Sequence, residues 1–121
     1  MNWYTPCAYN GAQKQSFHAT GRNRLKALAA ALGFEPGSFE VRCNQGGIAV
    51  SGEVTLHADT LYVQVCQPAT GCDTGILIRT CKGRKDYTGG PNNFAPLSYL
   101  DHIEALAGYC QHVLDREGAR P

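Results

Sequence analysis

Between Phe39 and Arg79 the chain repeats one short pattern. Phe39, Val41 and Cys43 alternate with Glu40 and Arg42, and Ile48 and Val50 alternate with Ala49 and Ser51. Val54 and Leu56 follow across Gly52, then Leu61, Val63 and Val65 alternate with Tyr62, Gln64 and Cys66. Ile76 and Ile78 finally alternate with Leu77 and Arg79. A period of two sends one apolar set to one face of a strand. The connections at 44–47, 58–59 and 68–73 are short. Short connections join antiparallel neighbours, because a parallel crossover needs a dozen residues or more. The pattern predicts a four-stranded antiparallel meander, with Gly52 a bulge in its second strand. Such a sheet must bury its apolar face against another layer.

Two helices are predicted to supply that layer. Leu25, Leu28, Ala29 and Leu32 share a face at helical spacing, so a helix runs over 22–32 with Thr20 as its N-cap. Gly33 ends it and Pro36 blocks its continuation. Arg22, Arg24 and Lys26 fall in its first turns, where cations oppose the helix dipole. A second helix is predicted from Ser98, with Asp101 completing a near capping box. Its stripe of Leu100, Ile103, Ala107, Cys110 and Leu114 is widened by Tyr99, Leu106 and Val113. A stripe that wide points to burial against more than the home sheet, an oligomer contact included. Ahead of both helices, residues 3–9 are aromatic and β-compatible, Asn10-Gly11 is a hairpin signal and residues 13–19 read as a return strand. The predicted class is α+β: an N-terminal β-hairpin, a helix, a four-stranded antiparallel meander and a C-terminal helix, one domain over 1–121.

Composition narrows the function. The net charge is +1, so the chain is not a polycation and a DNA-coating role is disfavoured. No window of about 18 apolar residues exists, and the N-terminus lacks the basic and apolar regions of a signal peptide. A cytoplasmic protein with no membrane partner is the expectation. The six cysteines have irregular spacings and no Cys-x-x-Cys, which favours small apolar fillers over disulfides or zinc ligands. No cofactor is expected. There is no Gly-x-Ser-x-Gly and no His-x-Glu, and the carboxylates are dispersed. Catalysis needs converging acids, bases or nucleophiles, so a binding role without catalysis is the expectation. Cys81 beside cations leaves a thiol enzyme as an alternative.

The segment 79–94 cannot build a core. It holds four cations within seven residues (Arg79, Lys82, Arg84, Lys85), then Gly89-Gly90, then Asn92 and Asn93. Arginine presents a planar fork that matches phosphate, and glycine lets backbone N–H groups approach an anion. Asparagine suits a base edge or a ribose hydroxyl. Asp86 next to Lys85 reads as an orienting ion pair. Tyr62, Tyr87 or Phe94 could stack a base. The loop therefore reads as one for a phosphorylated, nucleotide-like ligand.

Three segments carry a resemblance: Cys-Ala-Tyr-Asn-Gly-Ala-Gln-Lys-Gln-Ser-Phe at 7–17, Arg-Cys-Asn-Gln-Gly-Gly-Ile-Ala-Val-Ser-Gly-Glu-Val at 42–54, and Gly-Arg-Lys-Asp-Tyr-Thr-Gly-Gly at 83–90. Together they resemble a family of small phage anti-Thoeris proteins, which act as signal sponges. The resemblance implies binding, without cleavage, of the cyclic ADP-ribose isomer that a bacterial TIR-domain protein makes as an alarm. It also implies a second site for cyclic oligonucleotides in some members, and a small antiparallel sheet with helices, in dimers that assemble into hexamers. Carried over, ligand contacts fall on Arg79, Arg84, Lys85, Asp86, Thr88, Gly89, Gly90, Asn92 and Asn93. Tyr62 and Phe94 are the candidates for the stacking aromatic. Second-site candidates are Thr88, Gly89 and an arginine of Arg22 or Arg24. Two other classes remain: an inhibitor that covers a host defence protein, and a single-strand nucleic-acid binder using the same cations and aromatics. The near-neutral charge argues against a stable nucleic-acid partner.

Overall fold

The computed structural model describes residues 3–67, 75–83 and 90–118. Its order is α1 (Gly11–Ala31), β1 (Phe39–Asn44), β2 (Glu53–Ala58), β3 (Leu61–Cys66), β4 (Ile76–Thr80), β5 (Asn93–Ala95), a 3₁₀ turn (Leu97–Asp101) and α2 (Ile103–Gly118). The α+β class holds. The sheet is an antiparallel meander in the order β1-β2-β3-β4-β5, one strand more than the alternation predicts. The extra strand, β5, is only three residues long, too short to leave a periodic signal.

The N-terminal hairpin is not formed. Gly11, read as part of a turn, and residues 13–19, read as a return strand, lie in the first half of α1. Asn10 is the N-cap: its side-chain oxygen accepts from Gln13 N at 3.0 Å. Lys14, Phe17, His18, Gly21, Leu25, Leu28 and Ala29 fall on one buried face. That 3–4 residue spacing runs through the supposed return strand, and a strand would have split Phe17 from His18. Thr20, read as a cap, lies in mid-helix. The helix ends before Gly33 (φ 80), as the spacing predicts.

The stretch 45–52 is also not strand. Gly52 takes φ 79, which breaks the extended backbone ahead of Glu53. The connection is instead tied to α1: Lys14 Nζ donates to Gly47 O at 2.8 Å, and His18 Nε2 lies 2.9 Å from Ser51 O. The second helix also starts later than Ser98 predicts. Ser98 falls inside the 3₁₀ turn, and His102 (φ −133, ψ 65) separates that turn from α2.

Register assigns the two faces. Val54 and Leu56 pair across to Val65 and Val63, and Ile76 and Ile78 continue the same rows. These side chains are buried beneath the helices, with α1 over β1 and β2 and α2 over β4 and against α1. Each large apolar side chain fully buried there contributes roughly 1.5–3 kcal/mol. The α2 stripe is spent inside the subunit: Leu106, Cys110 and Val113 are buried, and Ile103, Tyr109 and Leu114 pack against the same core. The segment before α1 is strapped down by Gln67. Its Nε2 donates to Trp3 O (3.1 Å) and Thr5 O (2.6 Å), and its Oε1 accepts from Cys7 N (3.3 Å) and Ser51 Oγ (2.6 Å). Among the described residues no helix is long and apolar enough to cross a membrane.

Candidate functional site

The same register that buries the apolar rows lifts a second set of side chains to the opposite face of the sheet, which carries neither helix. Two rows cross it. One runs Glu40, His57, Tyr62, Arg79 over β1 to β4, and the other runs Arg42, Thr55, Gln64, Leu77, Phe94 over all five strands. Side chains opposite one another on adjacent strands stand about 4.5–5.5 Å apart at Cβ. Each row is therefore a contiguous strip of polar, cationic and aromatic groups.

Tyr62 and Arg79 meet in the first row. The guanidinium carbon of Arg79 sits 4.6 Å from the Tyr62 ring centroid, a cation–π geometry. Tyr62 is held from below its hydroxyl, which donates to Gln64 Oε1 at 2.9 Å. The His57 ring meets its edge at 5.3 Å between centroids and 67° between planes. His57 Nε2 lies 2.9 Å from Thr55 Oγ1. His57 and Thr55 are each only 6% exposed although no helix covers them. The phenol ring is thus fixed on three sides, and the guanidinium stacked on it is oriented. Arg79 Nε is buried and has no hydrogen-bond partner. A buried donor without an acceptor is costly; Arg24 Nε and His18 Nδ1 on α1 share this condition.

Phe94 completes the face. It lies diagonally across β4–β5 from Arg79, about 7–8 Å away at Cα, and its side chain is 48% exposed. Such a diagonal suits a nucleotide, with the base on the phenyl ring and the phosphate at the guanidinium. Leu77 lies beside Phe94 in the same row.

The other predicted residues are placed as follows. Arg84, Lys85, Asp86, Thr88 and Gly89, with Tyr87, lie outside the described residues. Gly90 donates its N–H to Thr80 O at 2.9 Å. A Cβ there would come within 2.6 Å of Thr80 Oγ1, so the backbone approaches β4 too closely for a side chain. Asn92 is exposed. Asn93 points to the helix side: its Nδ2 donates to Pro91 O (3.1 Å) and to the buried Glu117 carboxylate (3.2 Å), and its Oδ1 accepts from Arg116 Nη2 (2.6 Å). Its amide secures β5 to α2 rather than joining the two strips. Arg22 and Arg24 lie on α1, behind the sheet. Arg24 Nη2 is 3.7 Å from Asp101 Oδ1, which also accepts from Trp3 Nε1 at 3.0 Å. The second-site arginines are therefore on the opposite layer from Tyr62 and Arg79.

Sequence reasoning picked out Tyr62, Arg79 and Phe94 separately and missed Thr55, His57 and Gln64. Alternation alone puts Thr55 with His57 and Tyr62 with Gln64, but only the β2–β3 register joins the pairs. The described cysteines range from buried to exposed. Cys7 and Cys110 are buried, and burial pushes the Cys110 thiol up to about 12. Cys43 is exposed on β1; partial burial raises its pKa and the Arg22 charge partly opposes this. Cys81 donates its thiol hydrogen to Ala58 O at 3.3 Å, a use of the protonated form. No group of three metal-ligating side chains converges among the described residues. Comparison with protein families, curated proteins and solved structures finds no match to this chain.

Proposed function

We propose that this protein binds and sequesters a cyclic nucleotide signal of the cyclic ADP-ribose type, or a cyclic oligonucleotide, on the face of its sheet that carries neither helix. It does so without chemistry, and thereby blunts a bacterial anti-phage defence from within the host cytoplasm. The observation that carries this reading is Arg79: a guanidinium stacked on a fixed tyrosine, with a buried Nε lacking an acceptor. A nucleotide phosphate supplies that acceptor, and charge-assisted bonds of this kind are worth about 1.5–3 kcal/mol each. Phe94 offers a base-sized apolar ring within reach. The remaining groups favour holding over turnover. His57 is engaged with Thr55, and Glu40 accepts two bonds from Arg42. The resemblance of residues 83–90 to the sponge family points to the same ligand class, and Arg84 and Lys85 add charge to that stretch of the sequence.

A thermal-shift screen with cyclic ADP-ribose isomers and cyclic oligonucleotides tests the reading. A ligand at about one hundred times its dissociation constant raises stability by about 2.7 kcal/mol. At least one of these molecules is expected to raise Tm in the wild type and not in Tyr62→Leu or Phe94→Ala. Absence of a shift with all of them overturns the proposal.

A further inference from the structure

Leu77 sits at the centre of a small cell on the sheet face that carries neither helix. Gln64 is its cross-strand partner on β3 and Phe94 its partner on β5. Arg79 stands two residues further along β4, about 6.5–7 Å away on the same face. The floor is apolar and half-buried, and its rim carries an amide, a guanidinium and an exposed phenyl ring. A planar base laid across Leu77 with Phe94 at one end turns its other edge to Gln64.

The amide of Gln64 has a fixed sense. Its Oε1 accepts from the Tyr62 hydroxyl at 2.9 Å. Tyr62 is itself held by the Arg79 guanidinium on its ring face and by the His57 ring at its edge. The other end of the amide, Nε2, carries two N–H donors. Its partner is Cys66 Sγ at 3.8 Å, and no second acceptor for it exists among the described residues. A thiol sulfur is a weak acceptor, and a half-buried donor gains when a nitrogen or oxygen takes its place. Tyr62 thus decides that Gln64 meets a ligand as a donor rather than as an acceptor.

We infer that Gln64 selects the base: its Nε2 donates to a ring nitrogen on the edge of a base that lies across Leu77 against Phe94. This role rests on the nucleotide site proposed above and adds what that site reads. Arg79 and Phe94 serve any nucleotide, since every base has a π-face and every phosphate is an anion. Gln64 serves only a base with an acceptor at that edge, and a bare sugar diphosphate gives it nothing.

Calorimetric titration with ring-nitrogen analogues tests the role. The probe is a cyclic ADP-ribose isomer, or cyclic diadenylate if only that class binds. Its analogues each have one free ring nitrogen of adenine replaced by C–H. One analogue is expected to bind the wild type roughly tenfold more weakly than the parent does. Gln64→Met removes the donor and keeps the length of the side chain. Parent and analogue are expected to bind this variant alike, both near the level of that analogue on the wild type. Such a cycle separates the one contact from any general effect of the substitution. Tyr62→Phe keeps the ring under Arg79 and removes the hydroxyl that orients the amide, so it is expected to narrow the same gap. Emission from buried Trp3 reports that each variant is folded. A wild type that binds every analogue as tightly as the parent overturns the role, and so does a gap that persists in Gln64→Met. Should Gln64→Met lose its fold, an unchanged gap in Tyr62→Phe decides against the role. In each of these cases the site itself stands if Arg79→Met still weakens the parent. A wild type that binds neither probe overturns both.

Discussion

Arg79→Met separates what the face does for the fold from what it does for a ligand. Methionine keeps the stem and removes the guanidinium. The free protein loses the cation–π contact with Tyr62, worth about 0.5–1 kcal/mol. It also loses a buried donor that has no partner, and relieving such a donor returns about 1–3 kcal/mol. The net change runs from about zero to about 2.5 kcal/mol of added stability. For a chain of this length 1 kcal/mol corresponds to about 4 °C, so Tm holds or rises by up to about 10 °C. Ligand affinity moves the other way, because the phosphate loses a charge-assisted contact of about 1.5–3 kcal/mol. That is roughly a tenfold to hundredfold weaker Kd. Thermal denaturation of the free variant and calorimetric titration read the two effects independently. A free variant that melts more than about 4 °C below the wild type would mean that Arg79 is framework. Undiminished affinity would remove it from the site.

Two further perturbations probe the support around that face. Gln67→Ala removes the bonds to Trp3 O, Thr5 O, Cys7 N and Ser51 Oγ; the loss is about 2–3 kcal/mol, and the emission of Trp3, the chain's single tryptophan, should shift to the red. An unchanged spectrum and midpoint would refute the strap. The Cys110 thiol, raised to about 12 by burial, binds its proton more tightly folded than unfolded. Its contribution is therefore full below about pH 9 and is lost as pH rises towards 12, at up to about 1.4 kcal/mol per pH unit. Urea midpoints between pH 8 and about pH 11 should fall less steeply in Cys110→Ala; parallel slopes would refute the assignment.

The fold was legible where side-chain period speaks for itself. Val63 against Tyr62, and Ile78 against Arg79, declare both the strand and its faces. Residues 13–19 read as a strand because Asn10-Gly11 serves either a hairpin turn or a helix N-cap. The deciding term is the burial of Phe17 and Leu25 in the core that α1 shares with β2, which lies far away in sequence. Ile48 and Val50 alternate like a strand yet stay exposed, since Gly52 and the anchors from Lys14 and His18 hold that stretch as a loop. The site was legible residue by residue and not as an assembly. An arginine, a tyrosine and a phenylalanine stood out singly, but that Arg79 lies on Tyr62 follows from the β3–β4 register. Asn93 looked like a ligand amide because nothing local reveals Glu117 as its acceptor.

Binding and the chemical fate of the ligand can be read in one experiment. Wild-type protein is titrated with a cyclic ADP-ribose isomer, the complex is isolated, and the protein is then heat-denatured to release what it held. The account predicts saturable binding that Arg79→Met weakens, with release of a molecule identical in mass and retention to the one added. Failure to bind any isomer or cyclic oligonucleotide, or release of a cleaved product, would contradict it.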